Sequence, residues 1–190
     1  MDCESLSSVV SPFTETPIHT PVVSQLTKEI FLERFQKEIL SRFHFSLSSQ
    51  LRVESDSSVE DAKIIRAVLK RRILVGTNAC TRALEASAYS QGVAPLLTVL
   101  AEDVQPPTIL AHIPVLAKQS NVPILLLADW RASFELGKLL GTRKVAILCF
   151  QSQVPVNPGT LLEQQVHGAV DSFAEFMLQK LQKTALHDSY

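Results

Sequence analysis

The chain has 190 residues, 46% of them hydrophobic and 19% charged, with a formal net charge of −1. That length and apolar share suffice for one packed domain and argue against global disorder. The near-zero charge shows none of the basic excess usual in a nucleic-acid-binding chain.

Other classes fall away on local grounds. The longest strongly apolar run, 122–128, is far too short to cross a bilayer. The acidic start MDCESLSSVV is not expected to act as a secretory signal. Cys3, Cys80 and Cys149 are widely separated and odd in number, so they suggest neither a disulfide framework nor a metal site. A reducing compartment is the expectation.

In chain order, residues 1–27 lack Lys and Arg and are rich in Ser, Thr and Pro, which predicts an extended or disordered arm. Phe31, Phe35 and Ile39 recur at helical spacing and predict a helix over 28–43. A polar, Ser-rich loop follows to residue 57. A central module is expected over 58–150. It begins with a helix to Arg71, opened by a Ser58–Asp61 capping box. A short strand, Ile73-Leu74-Val75, ends at Gly76, and a helix is expected over 78–90. Residues 95–101 read as a strand. Pro106-Pro107 opens a helix reaching about Ser120. The apolar run 123–128 reads as a strand buried on both faces. A helix over 133–140 is closed by Gly141 in the left-handed conformation, and 145–150 is the last strand. Residues 155–159 break the chain. Residues 161–183 then form a long helix with Leu162, Val166, Val170, Phe173, Phe176 or Met177, and Leu181 on one stripe, better suited to the chain's own core than to a partner. Strands alternating with helices imply an α/β fold with a mixed or parallel sheet covered on both faces.

Charge is unevenly spread along these segments. Residues 1–60 hold nine acidic and five basic residues, 61–150 hold six and eleven, and 151–190 hold four and two, giving −4, +5 and −2. A basic module between acidic ends points to an anionic partner for the module.

The turn after the first strand carries the most chemistry. Gly76 permits close backbone approach, and the N–H groups opening the next helix, from Thr77 onward, can receive a phosphate. Asn78 offers a donor and an acceptor, suited to a base edge. Thr81 and Arg82 follow at three and four residues, on the same helix face. Arg82 can bind a guanine edge or a phosphate through two donors. The same residues also fit a plain strand–turn–helix with Asn78 as a cap and Arg82 in solvent.

A wider, ordered set of motifs resembles the kink-turn RNA-binding superfamily of L7Ae-type proteins. It comprises Gly76, Asn78, Thr81 and Arg82, then Asp103 and Pro106, then Asn121-Val122-Pro123, then Leu136-Gly137 with Gly141. The resemblance covers about 58–150. It implies a three-layer α/β/α sandwich around a mixed, mainly parallel four-stranded sheet, with extra N- and C-terminal helices here. Thr81-Arg82-Ala83-Leu84-Glu85, the helix segment 110–116 with His112, and the closing strand 145–150 look like one branch of that superfamily. That branch is the protein subunit of nuclear ribonuclease P and ribonuclease MRP, termed Pop-three in fungi and Rpp-thirty-eight in animals. Ser11-Pro12-Phe13-Thr14 and the helix after it resemble its fungal form.

The branch implies a nuclear, largely nucleolar, non-catalytic subunit of a ribonucleoprotein that processes precursor tRNA 5′ ends and precursor rRNA. Its catalytic centre is RNA, and its partners are a structured, kink-turn-like RNA element and neighbouring protein subunits. No catalytic residue, metal or cofactor is implied. The acidic ends would stay off the RNA, shielding the module or facing basic protein neighbours.

Two positions depart from the family pattern. Ala79 stands where the family has a Glu that accepts from a guanine edge. Gly141-Thr142-Arg143-Lys144 is a short basic loop where apolar residues are usual, so Arg143 and Lys144 suit phosphate contact rather than base stacking. Lys70, Arg71 and Arg72, before the first strand, are further candidates for phosphate contact.

Other side chains read more plainly. Glu102 and Asp103 end the second strand and could position Arg82. As strand neighbours they point to opposite faces, against a carboxylate pair. His112 reads as a satisfied core histidine, and Trp130 as a half-buried loop residue beside Arg131. Cys80 has no nearby His to support a nucleophile. Neither GxGxxG nor GxxxxGK[ST] occurs, so dinucleotide binding and nucleotide hydrolysis lack support. A protein-interaction module of the same fold, acting without direct RNA binding, is the alternative.

Overall fold

A computed structural model describes residues 25–47, 56–152 and 160–187. Most of the expected arm, much of the polar loop and the break at 155–159 lie outside the described residues. The elements in order are α1 (Gln25–Arg34), continued by a π-helical stretch (Phe35–Ser41), then α2 (Asp56–Arg72), β1 (Ile73–Val75) and α3 (Thr77–Ala88). After these come β2 (Pro95–Ala101), a 3-10 turn (Pro107–Ile109), α4 (His112–Gln119), β3 (Ile124–Leu127), α5 (Ala132–Leu139), β4 (Ile147–Gln151) and α6 (Leu161–His187).

The strand order is β1-β4-β2-β3. β2 pairs parallel with β3, while β4 pairs antiparallel with both β1 and β2. The sheet is mixed, as expected, but it is not mainly parallel. Three successive strand–helix units do send β1, β2 and β3 the same way. β4 then inserts between β1 and β2 from the opposite direction, so only one neighbouring pair is parallel. Two helix starts also differ from expectation. α2 begins at Asp56, which puts Ser58 inside the helix rather than at its cap. The helix expected from Pro106 is divided into the 3-10 turn and α4.

Alternation along the strands builds two cores. On one face Leu97, Val99, Leu148 and Phe150 meet Phe31, Phe35, Leu69, Leu136, Val170 and Phe173 from α1, the π-helical stretch, α2, α5 and α6. On the other face Leu100, Ile147 and Cys149 meet Cys80, Leu84, Ile113 and Ala117 from α3 and α4. The terminal helices therefore share the module's core. Val166, Val170, Phe173, Met177 and Leu181 of α6 are all buried, which settles the apolar stripe as an internal packing face. Phe31, Phe35, Phe150 and Phe173 cluster with ring centroids 5.3–5.7 Å apart, within the range where aromatic pairs add to simple burial.

Two ion-pair systems lock the terminal helices down. Lys28 of α1 is buried and its Nζ lies 2.5 Å from Asp129 Oδ2 and 3.4 Å from Glu135 Oε2. The hydrogen bond to Asp129 raises the Lys28 pKa and lowers that of Asp129. At the other side Arg72 Nε donates to the Gln151 carbonyl at 2.7 Å, Nη1 to His167 Nδ1 at 2.7 Å, and Nη2 to Asp171.

Candidate nucleic-acid interface

The strand directions bring four connections to one end of the sheet. They are the β1–α3 turn, the β2–α4 loop, the β3–α5 loop and the α5–β4 loop. This is the end onto which the carboxyl termini of β1, β2 and β3 open, the usual place for ligands on open α/β sheets. The Gly76 N–H donates to the Ile147 carbonyl at 3.0 Å. That bond sets the β1–α3 turn beside the start of β4, and so beside the basic loop that leads into it.

The turn is built for close approach. Gly76 has φ 97° and ψ 155°, a region essentially closed to residues with a Cβ. α3 starts directly after it with no side-chain cap, so the N–H groups of its first turn have no intrahelical acceptor. They lie at the positive end of a 12-residue helix. Asn78 and Arg82 are exposed, and their side chains have no hydrogen-bond or ion-pair partner among the described residues.

Thr81 is partly exposed, and its Oγ1 lies 2.9 Å from His112 Nε2. The histidine is thus exposed rather than a core residue, and it orients Thr81 across the α3–α4 seam. Sequence spacing gave no signal for this contact, because the two residues are 31 apart and meet only when α3 and α4 pack on the same sheet face.

The basic loop is held by backbone contacts. Gly141 has φ 71°, the left-handed cap expected of it. The Thr142 N–H donates to the Gly137 carbonyl at 2.8 Å, and the Val145 N–H to the Ser133 carbonyl at 2.8 Å. A Cβ on Gly137 would stand 2.8 Å from Lys144 Cα and N, so the glycine is what lets the loop lie flat on α5. Arg143 and Lys144 are exposed beyond it.

Asp103 supports the same loop from beneath. Its carboxylate accepts from the Ser133 N–H at 2.8 Å and the Ser133 hydroxyl at 2.6 Å. Ser133 in turn binds Val145 through its carbonyl. Asp103 therefore fixes the α5–β4 loop, and no contact with Arg82 places it as that residue's orienter.

The run Lys70-Arg71-Arg72 belongs elsewhere. It precedes β1 and so lies at the opposite end of the sheet from Gly76. Lys70 and Arg71 are exposed there. Arg72 is 2% exposed, and its guanidinium is spent on Gln151, His167 and Asp171. A phosphate contact by Arg72 does not fit this burial. The sequence did hold a signal for it. Arg72 stands four residues after Val68 and three after Leu69, both buried, and so falls on the apolar stripe of α2.

Cys80 and Cys149 are buried together between the sheet and α3. Hydrogen bonding to Cys149 and burial push the Cys80 thiol far up. It is held as a thiol, which is unsuited to nucleophilic work at neutral pH.

Residues 61–155 match the ribosomal protein L7Ae/L30e/S12e/Gadd45 family. The match spans half of the chain and includes the whole sheet end just described, and the chain belongs to this family. Proteins of the family are typically non-catalytic, and they generally bind structured RNA and protein partners.

Proposed function

We propose that this chain is a non-catalytic, RNA-binding subunit of nuclear ribonuclease P and ribonuclease MRP. In this reading it binds a kink-turn-like element of the ribonucleoprotein's RNA and supports precursor tRNA 5′ processing and precursor rRNA processing in the nucleus, chiefly the nucleolus. The observation that carries RNA binding is the juxtaposition at one sheet end of an uncapped helix N-terminus, exposed Asn78 and Arg82, and the exposed Arg143–Lys144 loop. The motif set of the ribonuclease P/MRP branch supports the finer assignment. Asn78 and Arg82 read base edges or phosphates, the first-turn N–H groups from Thr77 take a phosphate, and Arg143 and Lys144 follow the backbone.

A gel shift of the purified protein with a kink-turn stem, repeated over a range of salt, tests the RNA face. Asn78→Ala and Arg82→Ala are each expected to weaken binding. Unchanged affinity and salt slope in both variants would exclude this face. Sequencing of RNA that co-purifies with the native protein tests the ribonuclease P/MRP assignment. Ala79, in place of the family's acceptor Glu, favours a second reading in which the module binds proteins alone. That reading predicts native complexes free of stoichiometric RNA.

A further inference from the structure

The sheet end that carries the basic turn changes sign across its width. On the β1–β4 side stand the helix N-terminus, Arg82, Arg143 and Lys144. On the β2–β3 side an open hollow of about 440 Å³ is lined by Glu102, Asp103, Ala128, Asp129 and Trp130. From β4 to β3 is two strand spacings, roughly 10 Å, and Asp103, which lines the hollow, also holds Ser133 beneath the α5–β4 loop, so the two sides are close neighbours.

Trp130 is the feature that the fold leaves unexplained. It is 76% exposed, not half-buried as its loop position suggested. The Arg131 guanidinium rests over its ring at 4.1 Å from the centroid. A ring covered on one face and still three-quarters exposed has its other face in solvent. Tryptophan is among the residue types enriched at the hot spots of protein–protein contacts.

Charge selects the occupant. Glu102, Asp103 and Asp129 line the hollow, against Lys28, which pairs with Asp129, and Arg131 over the ring. Three carboxylates against two cations leave one negative charge. Lys28 is shared between Asp129 and Glu135, and Asp103 is bonded only to the neutral Ser133. Glu102 is exposed, with no ion-pair partner among the described residues. A nucleotide stacked on Trp130 would carry its phosphates into this field. A guanidinium is drawn both by the ring face and by the carboxylates.

We infer that this hollow docks an arginine-bearing segment of a partner protein, with a guanidinium on the open face of Trp130 and its charge toward Glu102. The surface rests on Trp130 and its surroundings and does not depend on the RNA reading.

The chain has a single tryptophan, so its fluorescence reports this site directly. The full chain is titrated with an oligoarginine peptide and, separately, with a single-stranded oligouridylate. The expected result is a saturable change in Trp130 emission with the peptide and none with the oligonucleotide. Glu102→Gln should weaken the peptide about fivefold, and Trp130→Ala, read by anisotropy of labelled peptide, about tenfold or more. Both residues are exposed, and unchanged thermal unfolding midpoints confirm that the variants fold. Glu175→Gln, an exposed charge loss on α6, should leave binding unchanged. The proposal is overturned if Glu175→Gln weakens the peptide as much as Glu102→Gln does, if Trp130→Ala binds like the parent, or if the oligonucleotide alone alters the emission. Kink-turn binding by the Trp130 and Glu102 variants is measured in parallel and should stay at the parent level. A parent protein that binds the peptide but no RNA would sink the RNA reading and leave this one standing.

Discussion

The two ends of β1 hold the same kinds of residue and put them to opposite use. At its start, Arg72 is buried under α6, bonded to Gln151, His167 and Asp171. Three strand residues later the chain emerges at Gly76 into a turn where Asn78 and Arg82 are exposed and free of partners among the described residues. The difference lies in what packs on top. α6 crosses the first end and takes up the guanidinium. Nothing in the described structure covers the second, where only backbone-held loops stand beside the turn. An arginine in a basic run is thus no guide to nucleic-acid contact until the neighbouring elements are known.

Removal of Arg72 should show the largest effect and the clearest split between the two ends. Arg72→Ala is expected to cost about 2–3 kcal/mol in urea unfolding, since it breaks a charge-assisted network on a buried residue. The figure stays below that for a fully buried pair because Asp171 is 35% exposed and can recover water. RNA affinity of the folded protein should not change. Loss of RNA affinity with little loss of stability would erase the contrast between the ends.

Next in size is Gly137→Ala. The added Cβ meets the Lys144 backbone at 2.8 Å, and overpacking of this kind costs about 1–3 kcal/mol. Because the displaced atoms belong to the basic loop, this variant should lose both stability and RNA affinity. Wild-type RNA binding by a destabilised Gly137→Ala protein would remove Arg143 and Lys144 from the interface.

Arg82→Ala should reverse the Arg72 pattern. Affinity for a kink-turn stem is expected to fall about tenfold, with the salt slope reduced by about one, while unfolding stays within about 0.5 kcal/mol of the parent. Paired substitution of Lys70 and Arg71 by Ala should change RNA affinity less than Arg82→Ala alone, because those two lie at the other end of β1.

The smallest effect concerns pH. Arg72 has only donors, so His167 Nδ1 must accept from it, which requires a neutral imidazole. Burial first, and then the Arg72 charge, lower the His167 pKa below its usual value. With the folded pKa depressed, the unfolded state takes up the proton first. The contribution is therefore complete above about pH 6.5 and is lost as pH falls from there through the folded value. His167→Gln should flatten the stability profile in that window. A slope of the opposite sign in the parent would show that the imidazole is charged in the native state.

Legibility followed the range of the interactions involved. The α/β class and the order of helices and strands were readable because apolar periodicity is local. Gly76 and Gly141 were readable as backbone positions because a turn leaves a residue-type signature, and both have the positive φ that such turns require. Gly137 could be read only as part of a motif, since its reason is a loop folded back onto α5. Spacing predicts a core His112 and a half-buried Trp130, and both are exposed in the structure. Exposure depends on which helix or loop lies opposite, and spacing along one helix does not contain that. The charge of Arg72 suggests phosphate contact, but its place on the apolar stripe of α2 is what decides its burial.

A basic α/β module between acidic segments and a Gly76–Arg82 turn suited to an anion follow from residue order alone, because charge, periodicity and turn chemistry are properties of neighbouring residues. The entry of β4 between β1 and β2 is visible only in the folded chain. That one insertion makes the sheet mostly antiparallel and sets the Arg143–Lys144 loop beside the turn. It also places residues at the two ends of β1 in different surroundings. The terminal helices join the core for the same physical reason. Strand pairing and helix docking are settled by which apolar faces meet across the whole chain, and no local stretch carries that information.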